Sequence, residues 1–483
     1  MASATDGDAD QPATAGGRFL KLASGYLAGR IVVQFFSLAA VPFYVRALGP
    51  ARYSQVEVLT VAMLATQIAI WGIVSPAALR LGLERDRDGA NRLWLAAASA
   101  ALALQLVLAA IVLVAREDIA QWVRGPGAAR AVVAAGLGLP LFIVQQVAFD
   151  VFASQRRSGA FAACAAAGGF ISASGSVVFT VVLDGGAAGV LVSNAIGFAV
   201  SSVIAAALLG TSFFSRPRWA DLAPLLRYGA PYLPGSIALW SLSFADRFIL
   251  LAYRTATDVG RYAAAYRVGS VLLLLNTAIM SAWLPSLMAA EQAGKGEFAY
   301  RRGVVAITAL FMHAAAGVAI FAAPILRIVV GPAFEAGAEV VPWIAAGVGL
   351  LGLVSVLQTG LLLEKRSGLI ATAAIAAAAV NLATCYLLIP DHGPLGAGLA
   401  TLAAYAVYAT VTGVLSHRVW RTPFPFPGVA AAAAAPIAVL VWVGVADRSM
   451  ASTLMQLGVI GASGAIAARL LVPDVLASLR DRH

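Results

Sequence analysis

Long apolar runs, separated by short polar or Gly/Pro-rich breaks, recur along almost the whole chain. The hydrocarbon core of a bilayer takes about 20 helical residues, so runs of this length read as membrane crossings rather than buried helices of a water-soluble fold. Fourteen segments are predicted, at 22–47, 54–79, 93–115, 131–154, 159–183, 187–210, 229–253, 260–289, 303–330, 340–363, 367–389, 396–416, 427–446 and 453–472. The breaks carry turn chemistry, as in Leu48-Gly49-Pro50, Asp184-Gly185-Gly186 and Pro390-Asp391-His392-Gly393-Pro394. Composition agrees with this pattern. The 483 residues are 61% hydrophobic and 12% charged, with mean hydropathy +0.86. The predicted fold class is an all-α integral membrane protein with 14 transmembrane helices.

The distribution of basic residues gives a direction. Lys and Arg concentrate in cytoplasmic loops. With the N-terminus inside, 21 of the 33 basic residues fall on the inner side and 9 on the outer, and the other three, Arg30, Arg247 and Arg267, lie within crossings. Every inner loop carries at least two, whereas the outer loops at 184–186 and 390–395 carry none. Both termini are therefore expected in the cytoplasm. The net charge of +10 is dispersed over short loops, which argues against a nucleic-acid surface. Cys164 and Cys385 lie in apolar segments and the four histidines are scattered, so neither a disulfide framework nor a zinc centre is expected. Residues 1–17 are small, polar and acidic and read as a disordered cytoplasmic tail. They lack the basic start and apolar core of a cleaved secretory signal, so the first crossing is expected to act as an uncleaved anchor.

The first and seventh segments share short matches. Tyr26-Leu27-Ala28-Gly29 parallels Tyr232-Leu233-Pro234-Gly235, and Arg52-Tyr53 parallels Arg261-Tyr262. Such matches arise by coincidence in an Ala- and Leu-rich chain, or they mark two halves related by an axis along the membrane normal. In the second case the organisation is a six-helix lobe at 18–210, a basic interfacial linker at 211–228 and a second pseudo-symmetric lobe at 229–416. Two extra C-terminal helices follow at 417–472, with a cytoplasmic tail at 473–483. Pro234-Gly235 is expected to kink the seventh helix from within.

Candidate chemistry lies in polar stripes on several crossings. The first shows Tyr26, Arg30, Gln34 and Ser37; the second Glu57, Thr60, Gln67 and Trp71; the fourth Gln146, Asp150 and Ser154; the eighth Arg267, Ser270, Thr277 and Ser281. Lipid does not tolerate such faces, so they should point inward, either to glue helices together or to line a cavity. A mid-membrane Arg costs about 2.5–3.5 kcal/mol on insertion scales. No acid stands one turn from Arg30 or Arg267, so a cavity role is expected for both. Asp246 and Arg247 are neighbours whose side chains diverge by about 100° on a helix. Either Asp246 pairs with an arginine of another helix and fixes packing, or it restrains Arg30 or Arg267 until an anion arrives while Arg247 faces the cavity. Glu57 and Asp150 are helix-end residues reaching the interface, or protonatable sites coupling transport to an ion gradient.

With these features in place, the chain resembles a polysaccharide-type lipid-linked oligosaccharide flippase of the multidrug, oligosaccharidyl-lipid and polysaccharide exporter superfamily. The resemblance covers about residues 18–420. It rests on Arg46-Ala-Leu-Gly-Pro-Ala-Arg-Tyr53, Tyr228-Gly-Ala-Pro-Tyr-Leu-Pro-Gly235, Ala245-Asp-Arg-Phe-Ile-Leu250 and Val259-Gly-Arg-Tyr-Ala-Ala-Ala-Tyr-Arg267. Gly331-Pro-Ala-Phe334, Asn381 through Pro390, and Gly396-Ala-Gly-Leu-Ala-Thr401 complete it. It implies two opposed six-helix lobes working by alternating access, with cationic residues in the cavity; Arg30, Arg247 and Arg267 are the positions that fit. The Ala-rich thirteenth segment departs from relatives whose extra helices form a lipid-tail groove, and gives no sign of one.

The expected function is translocation of an undecaprenyl-diphosphate-linked oligosaccharide from the cytoplasmic to the outer leaflet of a bacterial inner membrane, for surface polysaccharide biosynthesis. Arginine suits a diphosphate because its planar fork donates paired hydrogen bonds and stays charged. A diphosphate needs guanidinium groups that carboxylates have not already sealed. Partners implied are the lipid-linked oligosaccharide, membrane lipid, and the polymerase and glycosyltransferases of the pathway. No cofactor is implied beyond proton or sodium coupling. No phosphate-cradling Gly-x-x-x-x-Gly-Lys-Ser/Thr loop is present, which argues against ATP hydrolysis. The alternatives are a cation-coupled multidrug exporter of the same superfamily, which calls for buried carboxylates, and a membrane-embedded glycosyltransferase, which calls for large outer loops that this chain lacks.

Overall fold

A computed structural model describes the backbone of residues 15–480 apart from 215, 422 and 446–449, and the side chains of most positions from 32 to 469. The regular structure of the described residues is helical. In order, the α-helices are α1 (Ala15–Gly82), α2 (Arg87–Val114), α3 (Arg116–Val123), α4 (Ala128–Ser154), α5 (Ser158–Val177), α6 (Gly186–Leu209), α7 (Leu222–Gly229) and α8 (Leu233–Tyr253). They continue with α9 (Ala256–Gly269), α10 (Leu272–Gln292), α11 (Gly296–Ile320), α12 (Ala322–Ile325), α13 (Val341–Leu363), α14 (Ser367–Val419), α15 (Phe426–Val445) and α16 (Met450–Arg480). Among the described residues, 11 helical stretches are long and apolar enough to cross a membrane.

The two longest helices are each broken at one glycine. In α1 the break is Gly49, at φ 69° and ψ 171°, and in α14 it is Gly393, at φ 55° and ψ −131°. Residues with a Cβ resist positive φ, and a following proline cannot donate to the preceding turn, so Gly49-Pro50 and Gly393-Pro394 reverse the chain with almost no loop. The Leu-Gly-Pro and Pro-Asp-His-Gly-Pro signals mark these breaks. Two details differ from the sequence expectation. The predicted 260–289 crossing is divided at Ser270–Val271 into α9 and α10. Pro234 stands in the first turn of α8, after a 3₁₀ turn at Ala230–Tyr232, and not in the interior of that helix. Proline is readily accommodated at a helix start because the missing N–H has no intrahelical partner there.

Helix α1 packs on α4, α5 and α6, while α14 packs on α8 and α13, which in turn meets α11. The second half of α1 then runs against α8 and α9. This contact is close because α9 carries Gly260, where a Cβ would lie 1.9 Å from the Pro50 carbonyl oxygen. Beside it the Tyr53 and Phe334 rings meet edge to face, with centroids 6.0 Å apart. Large apolar side chains such as Val114, Val182, Leu387 and Val445 cover the outer surface, as a lipid-facing boundary requires.

The 211–228 segment forms 3₁₀ turns at Thr211–Phe213 and Trp219–Asp221 and then the amphipathic α7. Leu225 is buried, whereas Trp219 and Leu226 stay exposed. Arg85, just past α1, grips Asp221 through both nitrogens, at 2.8 and 3.0 Å. The hydrogen bonds from Arg85 hold the Asp221 carboxyl below the usual carboxylate range, and Asp221 raises the Arg85 guanidinium.

Two outcomes are expected. Gly260→Ala forces α1 and α9 apart and should lower stability by about 1–3 kcal/mol, seen as a lower thermal midpoint of the detergent-purified protein. Asp221→Asn should cost about 1–2 kcal/mol at neutral pH. Because the native carboxyl pKa is depressed, that stabilisation is present above the unfolded value and lost as the pH falls through the native one. Thermal midpoints of wild type and variant should therefore converge in acid.

Candidate functional site

The polar centre of the molecule is assembled where α1 meets α8 and α9. One turn of α1 supplies Tyr53 and Glu57, four residues apart and therefore on one face, with the tyrosine hydroxyl donating to Glu57 Oε1 at 2.5 Å. Before the Gly49 break, α1 also supplies Tyr44. From α8 come Asp246 and Arg247, and from α9 Tyr262, Tyr266 and Arg267.

Glu57 is shared. Its Oε1 accepts from Arg267 Nη2 at 2.8 Å, and its Oε2 stands 3.9 Å from Arg247 Nε. Arg267 also donates through Nη1 to the Tyr44 hydroxyl at 3.0 Å, and its side chain remains 34% exposed. Arg247 is enclosed, at 2% exposure. Its Nη1 donates to Asp246 Oδ1 and to the Ser243 carbonyl, each at 3.0 Å, and its guanidinium lies 4.4 Å from the Tyr266 ring centroid. Such a stack favours the charged state of a desolvated arginine. The Arg247 Nε is buried without a hydrogen-bond partner. Asp246 Oδ2 accepts from the Tyr262 hydroxyl.

Several sequence expectations are corrected by this arrangement. Asp246 and Arg247 engage each other, because the angle between neighbouring Cβ directions does not limit a side chain long enough to curl back one turn. Arg267, with no acid nearby in sequence, is met by Glu57, 210 positions away. The two guanidinium groups thus converge with two carboxylates, so the cluster is charge-balanced in this conformation rather than cationic. Arg247 is sealed; Arg267 is paired but still borders open space.

The other candidates lie elsewhere. Gln34 is exposed on the first half of α1. The side chains of Tyr26 and Arg30 lie outside the described residues. Asp150 sits on α4 and accepts from Trp71 Nε1 and Ser75 Oγ, each at 2.6 Å. Ser75 is 18 residues beyond Glu57, about 27 Å along the helix, so Asp150 does not join the Glu57 cluster. The tyrosines around the arginines fall outside the polar stripes legible in the sequence. Their signal was the Arg-Tyr match, since Tyr53 and Tyr262 each donate a hydroxyl to a buried carboxylate.

The end of the seam near Gly49 is closed by polar ties. Gln55 Nε2 donates to the Arg124 carbonyl at 2.8 Å, Arg124 Nη1 to the Arg254 carbonyl at 3.1 Å, and Arg254 Nη2 to the Pro390 carbonyl at 2.6 Å. Further off, Ala430 and Ala433 of α15 wall an apolar cavity of about 640 Å³, bounded also by α11, α13 and α14. The Ala-rich segment that showed no groove in sequence makes room here because alanine leaves space between helices.

Closely packed apolar helices around a buried ionic cluster define a multi-pass membrane protein of transporter fold. Solved structures agree. The lipid II flippase MurJ, in an inward closed conformation, superposes with TM-score 0.72 at 11% identity, over 95% of this chain and 100% of that one. An inward-facing multidrug MATE transporter of the MOP superfamily gives TM-score 0.61 at 16% identity, over 80% and 94% of the two chains. At these identities the likeness is one of fold. The family model described as polysaccharide biosynthesis protein matches residues 45–339, more than half of the chain, and the chain belongs to that family. The probable low-salt glycan biosynthesis flippase Agl15 of Haloferax volcanii is 26% identical over 197 residues, which span 40% of this chain and 41% of that protein. The resemblance read from the motifs is thereby borne out.

Glu57→Gln removes the charge that Arg267 and Arg247 share and leaves a guanidinium uncompensated. It should destabilise the protein by about 3–5 kcal/mol, whereas Tyr53→Phe should cost about 1 kcal/mol. Adding Arg267→Gln to Glu57→Gln should restore part of the loss. A double-mutant cycle on thermal stability measures the coupling.

Proposed function

We propose that this protein flips an undecaprenyl-diphosphate-linked oligosaccharide from the cytoplasmic to the outer leaflet of a bacterial inner membrane, for surface polysaccharide biosynthesis. The observation that carries this reading is Glu57 of α1 bridging Arg247 of α8 and Arg267 of α9 across the contact between the two halves of the chain. Counting the halves of α1 and α14 separately and adding α16 gives fourteen crossings, with both termini inside. Two six-helix lobes, 18–210 and 229–416, then face each other on either side of this bridge, and α15 and α16 stand apart.

In this mechanism the anionic head enters as a competitor of Glu57. A carboxylate reaches Arg267 well but leaves Arg247 Nε without a partner. A diphosphate offers more oxygens on a longer span and can satisfy both guanidinium groups in forked geometry. Its arrival frees Glu57, removes the ionic bridge between the lobes, and lets the seam near Gly49 open. No bond in the cargo is made or broken. Arg267 is the first contact, since it is the more exposed of the two, and Arg247 joins once the seam loosens. Protonation of the released Glu57, or sodium binding beside it, supplies coupling. Glycosyltransferases and a polymerase of the same pathway supply and consume the lipid-linked glycan.

The two carboxylates in the cluster are also what a cation-coupled drug exporter would use. Leaflet transfer in proteoliposomes with a defined lipid-linked glycan separates the two. Arg267→Ala should reduce transfer more than tenfold, with Arg267→Lys only partly restoring it because ammonium lacks the fork. Transfer unchanged by Arg267→Ala would remove that residue from the mechanism, and drug efflux with no glycan transfer would remove the flippase reading.

A further inference from the structure

Beside the ionic cluster lies a second feature that the head-group argument does not use. A side pocket of about 180 Å³ lies between α1, α9, the end of α11 and the helical turn at 325–330. Val41, Val45, Val268, Ile325 and Val329 make its walls, and Arg267 is the one charged residue in its lining. Leu38 and Val329, each 38% exposed, lie at its rim, and neighbouring Ile328 is 69% exposed on the outer surface. The cavity therefore joins the lipid-facing surface to the guanidinium that pairs with Glu57.

The pairing of shape and charge is selective. Bonds to Tyr44 and Glu57 occupy two of the five N–H groups of Arg267, and the side chain borders the cavity. A neutral lipid gains nothing from that cation, and a polar anion gains nothing from the valines. A ligand that places an anionic group directly next to a branched apolar chain satisfies both. For scale, an apolar cavity of about 150 Å³ holds a benzene ring, so this one admits a five-carbon branched unit. Walls of β-branched side chains are stiff at χ1, which keeps the space open rather than letting it collapse.

We infer that this cavity seats the first isoprenyl unit of a polyprenyl diphosphate, with the adjoining phosphate on Arg267. The inference rests on the lipid-linked substrate proposed above and adds to it where the tail begins. The seat lies in the half of the membrane that contains the Gly49 break, the outer half in the proposed orientation.

The test uses purified full-length protein in nanodiscs and a geranylgeranyl diphosphate bearing a diazirine on its first isoprenyl unit. Photolysis should place adducts within 38–45, 264–271 or 325–330, mapped by mass spectrometry. Val268→Trp and, independently, Val329→Trp fill the cavity and should each lower that labelling at least tenfold. A diazirine-bearing phosphatidylglycerol serves as the comparison lipid. Equal labelling of the same segments by phosphatidylglycerol, or labelling unaffected by either tryptophan, overturns the seat. Leaflet transfer is scored in parallel with wild-type proteoliposomes. Adducts elsewhere with transfer intact overturn the seat alone. Adducts in the cavity with no transfer support the seat and count against the flippase reading instead.

Discussion

One carboxylate, Glu57, links a helix of the first half of this chain by charge to two helices of the second. In a low-dielectric interior the worth of such a bridge depends on what replaces it. Taking away one partner strands a buried charge and is expensive, whereas exchanging one anion for another leaves the cations served. An interaction of this kind makes a poor rivet and a good latch. The surrounding tyrosines keep the bridge in register: Tyr53 donates to Glu57, Tyr262 donates to Asp246, and Tyr266 lies under the Arg247 guanidinium.

Arg247 and Arg267 are thereby divided in labour. Asp246, Ser243 and the Tyr266 ring enclose the first, so its charge is largely a structural given. The second is accessible from the side, held by one acid and one phenol, and bordered by apolar walls. The sequence treated both as equal contributors to a cationic void. Their different environments follow from which neighbour each helix presents, and that is settled only by tertiary packing.

The helical framework was largely legible beforehand because lipid imposes a length rule on each apolar run. The breaks at Gly49 and Gly393 were legible because glycine and proline act on the backbone directly. The features hidden from the sequence have other causes. The division at Ser270–Val271 lies within a continuous apolar run, where hydropathy is blind to a local turn. Pro234 reads as internal to a helix because the apolar stretch begins before the helix does. The Glu57–Arg267 contact joins positions with no shared period, and a guanidinium that bends back to its own neighbour defeats a rule based on Cβ directions. Tyr53 and Tyr262 were visible as a repeat, but nothing in the repeat said that each would serve an acid.

The glycine reversals in α1 and α14 also shape how the protein meets its surroundings. Each returns the chain through a single non-helical residue, and Arg254 ties the second one down through the carbonyls of Ile389 and Pro390. At these two corners the molecule offers almost no extended strand for a protease to grip or an antibody to recognise. Any companion docking on that side must read helix ends and a few arginines instead of loops, which confines recognition to a small, rigid footprint.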